Sequence, residues 1–426
     1  MRCKLLNTIP KKWGEGMRIV VQKFGGSSLA TSTIREQAVC RVEEALKDGL
    51  NPVVVVSAMG REGDAYSTDT LLRLLEETNV DSSAANMDLL ISCGEIISAT
   101  IFAESLNKRG MSAIALSGWQ AGIITDDVHL SARVKTVQGN KLHQIISDGM
   151  IPVVAGFQGA TEQGAITTLG RGGSDTTAAV LGVFLKAERV EIYSDVDGIK
   201  TADPKLIPDA PTLKVISYSE VVELAHMGAK VLHPRAAEIT MEEGIPLQIL
   251  SVTESHGGTT IKHGVRQLSG VAGESIADKV VTGIAYLGKR AQVRIKGPKN
   301  FHSSGMAAQI FHLLAEAKVS VDLIFLSPDL IAFIIDQVKV EIAQKVLTAL
   351  DLDVKIKVGF AKVSVVGAGM HGVPGVMARV VNCLETEAIP IFQTTDSHAN
   401  ISCLVLEEHV PQAVQALYKE FHLDRI

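Results

Sequence analysis

Between residue 17 and about residue 255, short apolar runs alternate with longer amphipathic ones, and that alternation leaves few folds open. The apolar runs are IVVQKF (19–24), PVVVVS (52–57), SAIALS (112–117), IPVVAGF (151–157) and VEIYSD (190–195). Each has strand length, and strands this uniformly apolar need cover on both faces. The stretches 33–48, 86–108 and 174–187 carry helical spacing. Strands separated by helices predict an α/β domain with a largely parallel sheet sandwiched by helices.

Composition narrows the function. The chain has 426 residues, 46% hydrophobic and 21% charged, which is room for two or three domains. A net charge of -6 with no basic run argues against nucleic acid as a partner, and 4% aromatics leave little for base stacking. The VVVV run at 53–56 is far below a membrane span, so no membrane partner is expected. Cys3, Cys40, Cys93, Cys383 and Cys403 are scattered with no CxxC pair, as in a reducing, cytoplasmic compartment. Residues 1–16 differ from the rest but lack the apolar stretch and cleavage site of a secretion signal. Gly14-Glu15-Gly16 can be encoded by a purine-rich ribosome-binding sequence, so Met17 is the expected start and 1–16 an extension.

Residues 256–278, rich in Gly, Ser and Thr, read as a connector. Beyond them lies an internal repeat. Residues 305–333 match 375–403 without a gap, pairing Gly305 with Gly375, Ala308 with Ala378, Leu314 with Leu384, Val319 with Ile389, Val321 with Ile391 and Ile331 with Ile401. Two small α/β units are predicted, at 279–352 and 361–426. Each reads strand, glycine turn, helix, two strands, helix and short strand.

Four segments carry candidate chemistry. In VVQKFGGSS (20–28) a strand runs into Gly25-Gly26-Ser27-Ser28 and then toward a helix. Bare backbone N–H groups there suit phosphate oxygens, and Lys23 adds a mobile cation; the plain alternative is a turn. In TTLGRGGSDTTAAVLGV (167–183), Arg171 stands among Gly170, Gly172 and Gly173 with its fork free for a carboxylate. Ser174 or Asp175 serves there at least as a helix cap. In IYSDVDGIKTADPK (192–205), Asp195, Asp197, Lys200, Asp203 and Lys205 follow a strand. That loop is either a purine and phosphate loop or a polar hairpin. Its D-x-D-G fragment lacks the other ligands of a calcium loop, and no metal cluster is read from it. In SCGEIISA (92–99), the neighbouring Cys93-Gly94 predicts close packing, so Glu95 is partly buried and needs a partner such as a substrate amino group.

Gly367-Ala368-Gly369-Met370-His371-Gly372 fits G-x-G-x-x-G, but about 54 residues follow, too few for a dinucleotide-binding domain. It reads as a turn of the second small unit.

Together these segments resemble the aspartate kinase family within the amino acid kinase superfamily. KFGGSS, VVVVSAMG, SCGE, VAGFQGA, TTLGRGGSDTTA, YSDVDGI-TADP and GAKVLHPRA occur in the family's order. The tandem repeat resembles a pair of ferredoxin-like ACT domains, the amino-acid-sensing units of that family. The resemblance implies an amino acid kinase fold over 17–255 followed by two ACT domains. It implies ATP-dependent phosphorylation of L-aspartate on its side-chain carboxylate, with ATP and Mg2+ as cofactors.

It also implies roles. Lys23, with Phe24, Gly25, Gly26 and Ser27, would hold ATP phosphates. Arg171 would grip a carboxylate of aspartate, flanked by Gly172, Gly173 and Ser174, with Thr68 and Glu95 completing the pocket. Asp175 would position the reacting groups. Ser194, Asp195, Lys200, Thr201, Ala202, Asp203, Pro204, Lys205 and Lys230 would line the nucleotide site; Lys200 departs from a frequent Tyr. An effector would bind between ACT domains of different chains, in a homodimer or higher oligomer. Its contacts would be the turn His371, Gly372, Val373, Pro374 and Gly375 and the strand Gln393, Thr394, Thr395 and Asp396. QTTDSH (393–398) favours diaminopimelate over lysine or threonine as effector. The alternatives are a kinase of another acidic amino acid, such as glutamate, and an inactive amino-acid sensor.

Overall fold

The computed structural model describes residues 17–78, 82–229, 232–254, 257–263, 280–297, 305–350, 352–370 and 373–425. They form two compact units. The first holds the described residues up to Ile199, Thr212–Ala225 and those from 232 to 263. The second holds Lys200–Pro211, His226–Ala229 and the described residues from 280 onward. The expected start at Met17 turns on residues 1–16, which lie outside the described ones, as do Lys230, His371 and Gly372.

The first unit is built in the order β1 (Ile19–Phe24), α1 (Ser32–Lys47), β2 (Asn51–Val56), α2 (Thr68–Glu76), α3 (Ala84–Lys108), β3 (Ala113–Leu116), β4 (Ile123–Thr125), β5 (Val134–Val137), α4 (Asn140–Ser147), β6 (Ile151–Ala155), β7 (Gln158–Ala160), β8 (Ile166–Thr168), α5 (Gly173–Phe184) and β9 (Arg189–Ser194). It closes with β10 (Val215–Ser217), α6 (Tyr218–His226), α7 (Pro234–Glu243), β11 (Leu247–Ser251) and β12 (Thr259–Lys262). The main sheet runs β10-β12-β11-β9-β1-β2-β6-β3, with β11 against β12 its one antiparallel pairing.

The five apolar runs of the sequence are β1, β2, β3, β6 and β9. Val54, Val56 and Val153 on the sheet pack with Val39 and Val42 of α1 and Phe102 and Leu106 of α3, all wholly buried. That covers one face; on the other, Val53 and Val55 are wholly buried and α5 packs against β1 and β2, giving the two-faced cover such strands demand. α3 is long and apolar enough to cross a membrane by composition. Its buried face, however, holds Asp88 and Glu95 and packs on β3, β6 and β8 of the sheets.

Connections leave β1 and β9 in opposite directions, toward β2 and toward β11. The carboxyl ends of those two neighbours therefore form the switch point where an open α/β sheet takes its ligand.

Three local expectations change. β12 is a strand inside the stretch read as a connector; its Thr259 and Ile261 are buried in the sheet despite their glycine-rich surroundings. A second sheet, β5-β4-β7-β8, was not foreseen, because strands of three or four residues show too little periodicity. The first glycine turn opens on a single 3₁₀ turn, Ser27–Leu29. α1 starts only at Ser32, where the Thr31 hydroxyl accepts from Ile34 N at 3.3 Å.

The second unit contains β13 (Gly283–Lys296), α8 (Met306–Glu316), β14 (Asp322–Ser327), β15 (Leu330–Asp336), α9 (Val340–Thr348), β16 (Asp353–Val366), α10 (Val376–Thr386), β17 (Gln393–Asp396), β18 (Asn400–Leu406) and α11 (Val410–Glu420). The repeat is structural. Met306–Glu316 recurs as Val376–Thr386, Leu330–Asp336 as Asn400–Leu406 and Gly283–Lys296 as Asp353–Val366, each 70 residues on (376 against 306). The six strands form one antiparallel sheet, β14-β15-β13-β16-β18-β17.

The copies are not separate along the chain. β13 contributes Ile284 to the core of α10 and α11, and Ala291, Val293 and Ile295 to the core of α8 and α9. β16 does the reverse, with Val354 and Ile356 against the core of α8 and α9 and Val363 and Val365 in the other. A 14-residue strand outruns one small sheet and so serves two. The short closing strand foreseen for the first copy is the opening half of β16. Gly367 sits where a Cβ would stand 1.8 Å from Val280 O, a tight turn at a strand end.

Candidate active site

Two chain turns at the carboxyl ends of main-sheet strands, after β1 and after β2, and a third between β8 and α5 converge on one cavity of about 1120 Å³ in the first unit. After β1, Gly25 and Gly26 continue from Lys23. A Cβ on Gly26 would stand 2.5 Å from Ala58 O, and Gly60 N donates to Gly26 O at 3.1 Å. Only glycine lets the turn after β1 lie against the turn after β2. The resemblance groups Phe24 with the nucleotide residues, but its ring is fully buried and stacks on Tyr193 at 4.8 Å. Its carbonyl accepts from Ser57 N, so Phe24 supports the turn rather than facing the cavity.

The second turn precedes α5. Gly170 and Gly172 are left-handed, at φ 74 and 70, and a Cβ on Gly172 would lie 2.2 Å from His233 Cγ. α5 begins at Gly173 with Gly172 as its N-cap and no side-chain cap. Ser174 and Asp175 are therefore not caps; they lie in the first turn, where an acidic side chain favours the helix dipole. Asp175 Oδ1 lies 2.7 Å from Lys23 Nζ, with the two side chains 14% and 12% exposed. The two glycine turns thus face each other across a partly buried ion pair. Arg171 lines the same cavity, and no acidic side chain among the described residues is paired with it.

Thr68, first residue of α2, and Glu95 of α3 also line the cavity. A Cβ on Gly94 would stand 2.9 Å from the Ala58 Cβ, the close packing expected from Cys93-Gly94. Glu95 is 2% exposed. Its Oε1 accepts from Ala58 N at 3.1 Å, while its buried Oε2 has no hydrogen-bond partner. Burial pushes this carboxyl up to about 8, against the opposing pull of the Ala58 N–H. The site therefore holds a half-satisfied carboxyl, an unpaired guanidinium and a Lys-Asp pair.

Ser194 ends β9 and Asp195 follows it, with Ser194 Oγ donating to Asp195 Oδ1 at 3.1 Å. Asp195 Oδ2 pairs with Arg61 Nη2 at 2.6 Å, and Arg61 lines the cavity beside Gly60. Arg61 was missed. Its signal was a cation directly after glycine at a strand end, the pattern used for the other two turns. Asp88, His129, Leu130, Phe157 and Thr168, at or behind the cavity wall, also gave no sequence signal. Lys200–Pro211 belong to the second unit. Thr201 and Ala202 are buried there, the Thr201 hydroxyl donates to Leu423 O at 3.3 Å, and Lys205 N donates to Asp203 Oδ1 at 2.9 Å. Pro204 and Lys205 stay exposed.

Of the proposed effector contacts, Val373, Pro374 and Gly375 lead into α10, with Gly375 left-handed at φ 94. Gln393, Thr394 and Asp396 lie on the edge strand β17, where Gln393 Oε1 accepts from Gln292 Nε2 at 3.2 Å and the other two are exposed.

The amino acid kinase family model matches residues 18–251, and an ACT-domain model matches residues 355–419. The chain belongs to the amino acid kinase family. Aspartokinase 1 of Bacillus subtilis (strain 168) is 41% identical over 409 residues, covering 96% of this chain and 100% of that one. The aspartokinase of Geobacillus stearothermophilus is 39% identical over 413 residues, covering 96% and 98%. The solved structure of E. coli aspartokinase III in complex with aspartate and ADP matches with TM-score 0.76 at 27% identity, over 95% of this chain and 99% of that one. Within the family the chain is an aspartate kinase with regulatory ACT domains.

Proposed function

We propose that the cavity binds L-aspartate between Arg171 and Glu95 and transfers the terminal phosphoryl group of ATP to its side-chain carboxylate. The observation that carries this reading is the set of groups left unmatched around the Lys23–Asp175 pair. Arg171 is a free fork for the α-carboxylate, and Glu95 Oε2 is a buried acceptor for the α-ammonium. Thr68 Oγ1 adds a hydroxyl on the same wall.

The acceptor carboxylate titrates near 4, so it is an ionised nucleophile at neutral pH and needs no general base. A carboxylate oxygen bonds to the γ-phosphorus as the bond from that phosphorus to the bridging oxygen breaks. ADP leaves with the electron pair, and 4-phospho-L-aspartate is the product. Lys23 balances the charge gathering on the transferring group, and the Gly26 amide offers it a donor, whereas the Gly25 N–H is spent on Tyr193 O at 3.3 Å. Asp175 fixes the Lys23 ammonium in place.

No group of three or more His, Cys, Asp or Glu side chains that could cage a metal occurs among the described residues. The site fits a Mg2+ that arrives on the nucleotide, and Asp175 would be the protein carboxylate holding it. Bound there, the ion would neutralise phosphate charge. Within the first unit, Ser194 and Asp195 are assigned to nucleotide binding, with Arg61 added.

The ACT copies are read as a feedback sensor for an end product of the aspartate pathway, with diaminopimelate the favoured effector. The E. coli aspartokinase III structure in complex with lysine and aspartate, 27% identical, makes lysine the competing candidate. The exposed edge strands β14, with Ile324, Phe325 and Leu326, and β17 suit chain-to-chain pairing in a homodimer, in a cytoplasmic protein. The test is ADP release measured with aspartate and glutamate side by side, with and without lysine, threonine and diaminopimelate. Turnover confined to glutamate overturns the acceptor assignment.

A further inference from the structure

Asp88 lies on α3 two turns before Glu95, on the same face, and is wholly buried. It does not touch the cavity. Its carboxylate takes His129 Nδ1 at 2.7 Å, Leu130 N at 3.2 and 3.1 Å on its two oxygens, and the Thr168 hydroxyl. The residue it grips by the backbone is unusual. Leu130 is left-handed at φ 64, a conformation that side chains other than glycine resist. Its carbonyl stands 3.1 Å from the place a Cβ on Gly170 would take, beside Arg171, and Leu130 lines the cavity with Glu95, Thr168 and Arg171. Phe157, left-handed at φ 68 and held through its N–H by the Thr177 hydroxyl at 3.1 Å, lines it as well. Backbone strain held in place by polar anchors thus recurs on one wall.

We propose that Asp88 is a positioning residue which, acting through the left-handed Leu130, holds an apolar wall against the carbon chain of the acceptor and so sets its permitted length. The inference rests on the reading of the cavity as the aspartate pocket. A charge-assisted bond to both carboxylate oxygens fixes the Leu130 backbone, and the loop is further tied by Ala132 N to Thr168 O at 2.9 Å. Thr168 therefore links the wall to the strand that leads into the Arg171 turn. A wall fixed on the same helix face as Glu95 and beside Arg171 leaves little tolerance for one more methylene between the two charged ends of the acceptor.

Leu130→Gly separates wall from fold, because glycine accepts the left-handed backbone while the side chain is lost. The expected result is an unchanged or raised thermal midpoint and an unchanged KM for ATP. KM for aspartate rises about fivefold to tenfold, and the kcat/KM preference for aspartate over glutamate falls about tenfold, the scale of one methylene in an apolar pocket. Asp88→Asn in the native background should raise KM for aspartate similarly. In the Leu130→Gly background it should add nothing, since the two act through one contact. An unchanged aspartate KM and acceptor ratio in Leu130→Gly overturns the inference. So does an Asp88→Asn effect of equal size in both backgrounds. Failure of the unmutated enzyme to turn over aspartate overturns the reading of the pocket itself and the inference with it.

Discussion

Lys23 Nζ sits 2.7 Å from Asp175 Oδ1, tying the last turn of β1 to the first turn of α5 across the cavity. A lysine held this way is oriented before any nucleotide arrives. Lys23→Ala is expected to lower kcat by about 10³-fold, as for the loss of one charge-stabilising donor. The fold should persist, because both side chains keep some exposure. Single-turnover kinetics and far-UV circular dichroism check this; near-native kcat in a folded variant removes Lys23 from the phosphoryl site.

Arg171 meets no carboxylate partner among the described residues, so its loss should be felt at binding. Arg171→Ala should raise KM for aspartate by about 10- to 100-fold with KM for ATP little changed. Initial-rate measurements with each substrate varied in turn separate the two. An equal rise for both substrates would assign Arg171 to the nucleotide instead.

Glu95 gives a pH signature. Its carboxyl is raised from 4.5 to about 8, and only the ionised form attracts an ammonium. KM for aspartate should therefore fall as pH rises from about 6 toward about 8, by up to about tenfold per unit, and Glu95→Gln should flatten the profile. Stability runs the other way. Between 4.5 and about 8 the folded state holds a proton that the unfolded state has lost. The group's contribution is thus full below 4.5 and is lost as pH rises through about 8. Urea midpoints compared between the native chain and Glu95→Gln across that window measure it.

Arg61 pairs with Asp195 at an exposed site, 71% and 52% open, so the pair adds little stability. Arg61→Ala should leave the thermal midpoint nearly unchanged and raise KM for ATP about threefold to tenfold, with the difference shrinking in high salt. A change in aspartate KM alone would place the guanidinium on the acceptor.

Gly172 combines φ 70 with a Cβ position 2.2 Å from the His233 ring. Gly172→Ala should destabilise the first unit by about 3 kcal/mol, read from denaturant midpoints. A shift below about 0.5 kcal/mol would show that the turn can relax.

Much of this was legible from residue order. β1, β2, β3, β6 and β9 lie within two residues of their apolar runs, because a doubly covered strand writes its burial into every position. The gapless register of Gly305 with Gly375 carried through to whole helices and strands. Lys23, Arg171, Asp175, Thr68 and Glu95, drawn from four separate segments, line or face one cavity. What stayed hidden was set by tertiary partners. Asp88 looks like any helix carboxylate until His129 and Leu130 arrive from a hairpin 41 and 42 residues on. Ala202, Ile207 and Ala210 sit in a polar loop with no period, yet all three are core residues of the second unit. Phe24 follows a lysine at a phosphate-like turn, and only packing on Tyr193 shows that its ring faces inward.

β13 and β16 each thread two hydrophobic centres, one with either half of their length. A gene cut at the midpoint of the repeat would therefore deliver two fragments, each lacking a strand segment its own helices require. The sensor half of this enzyme can be inherited, transplanted or truncated only as a pair, and a lesion in one copy is transmitted to its twin through shared backbone.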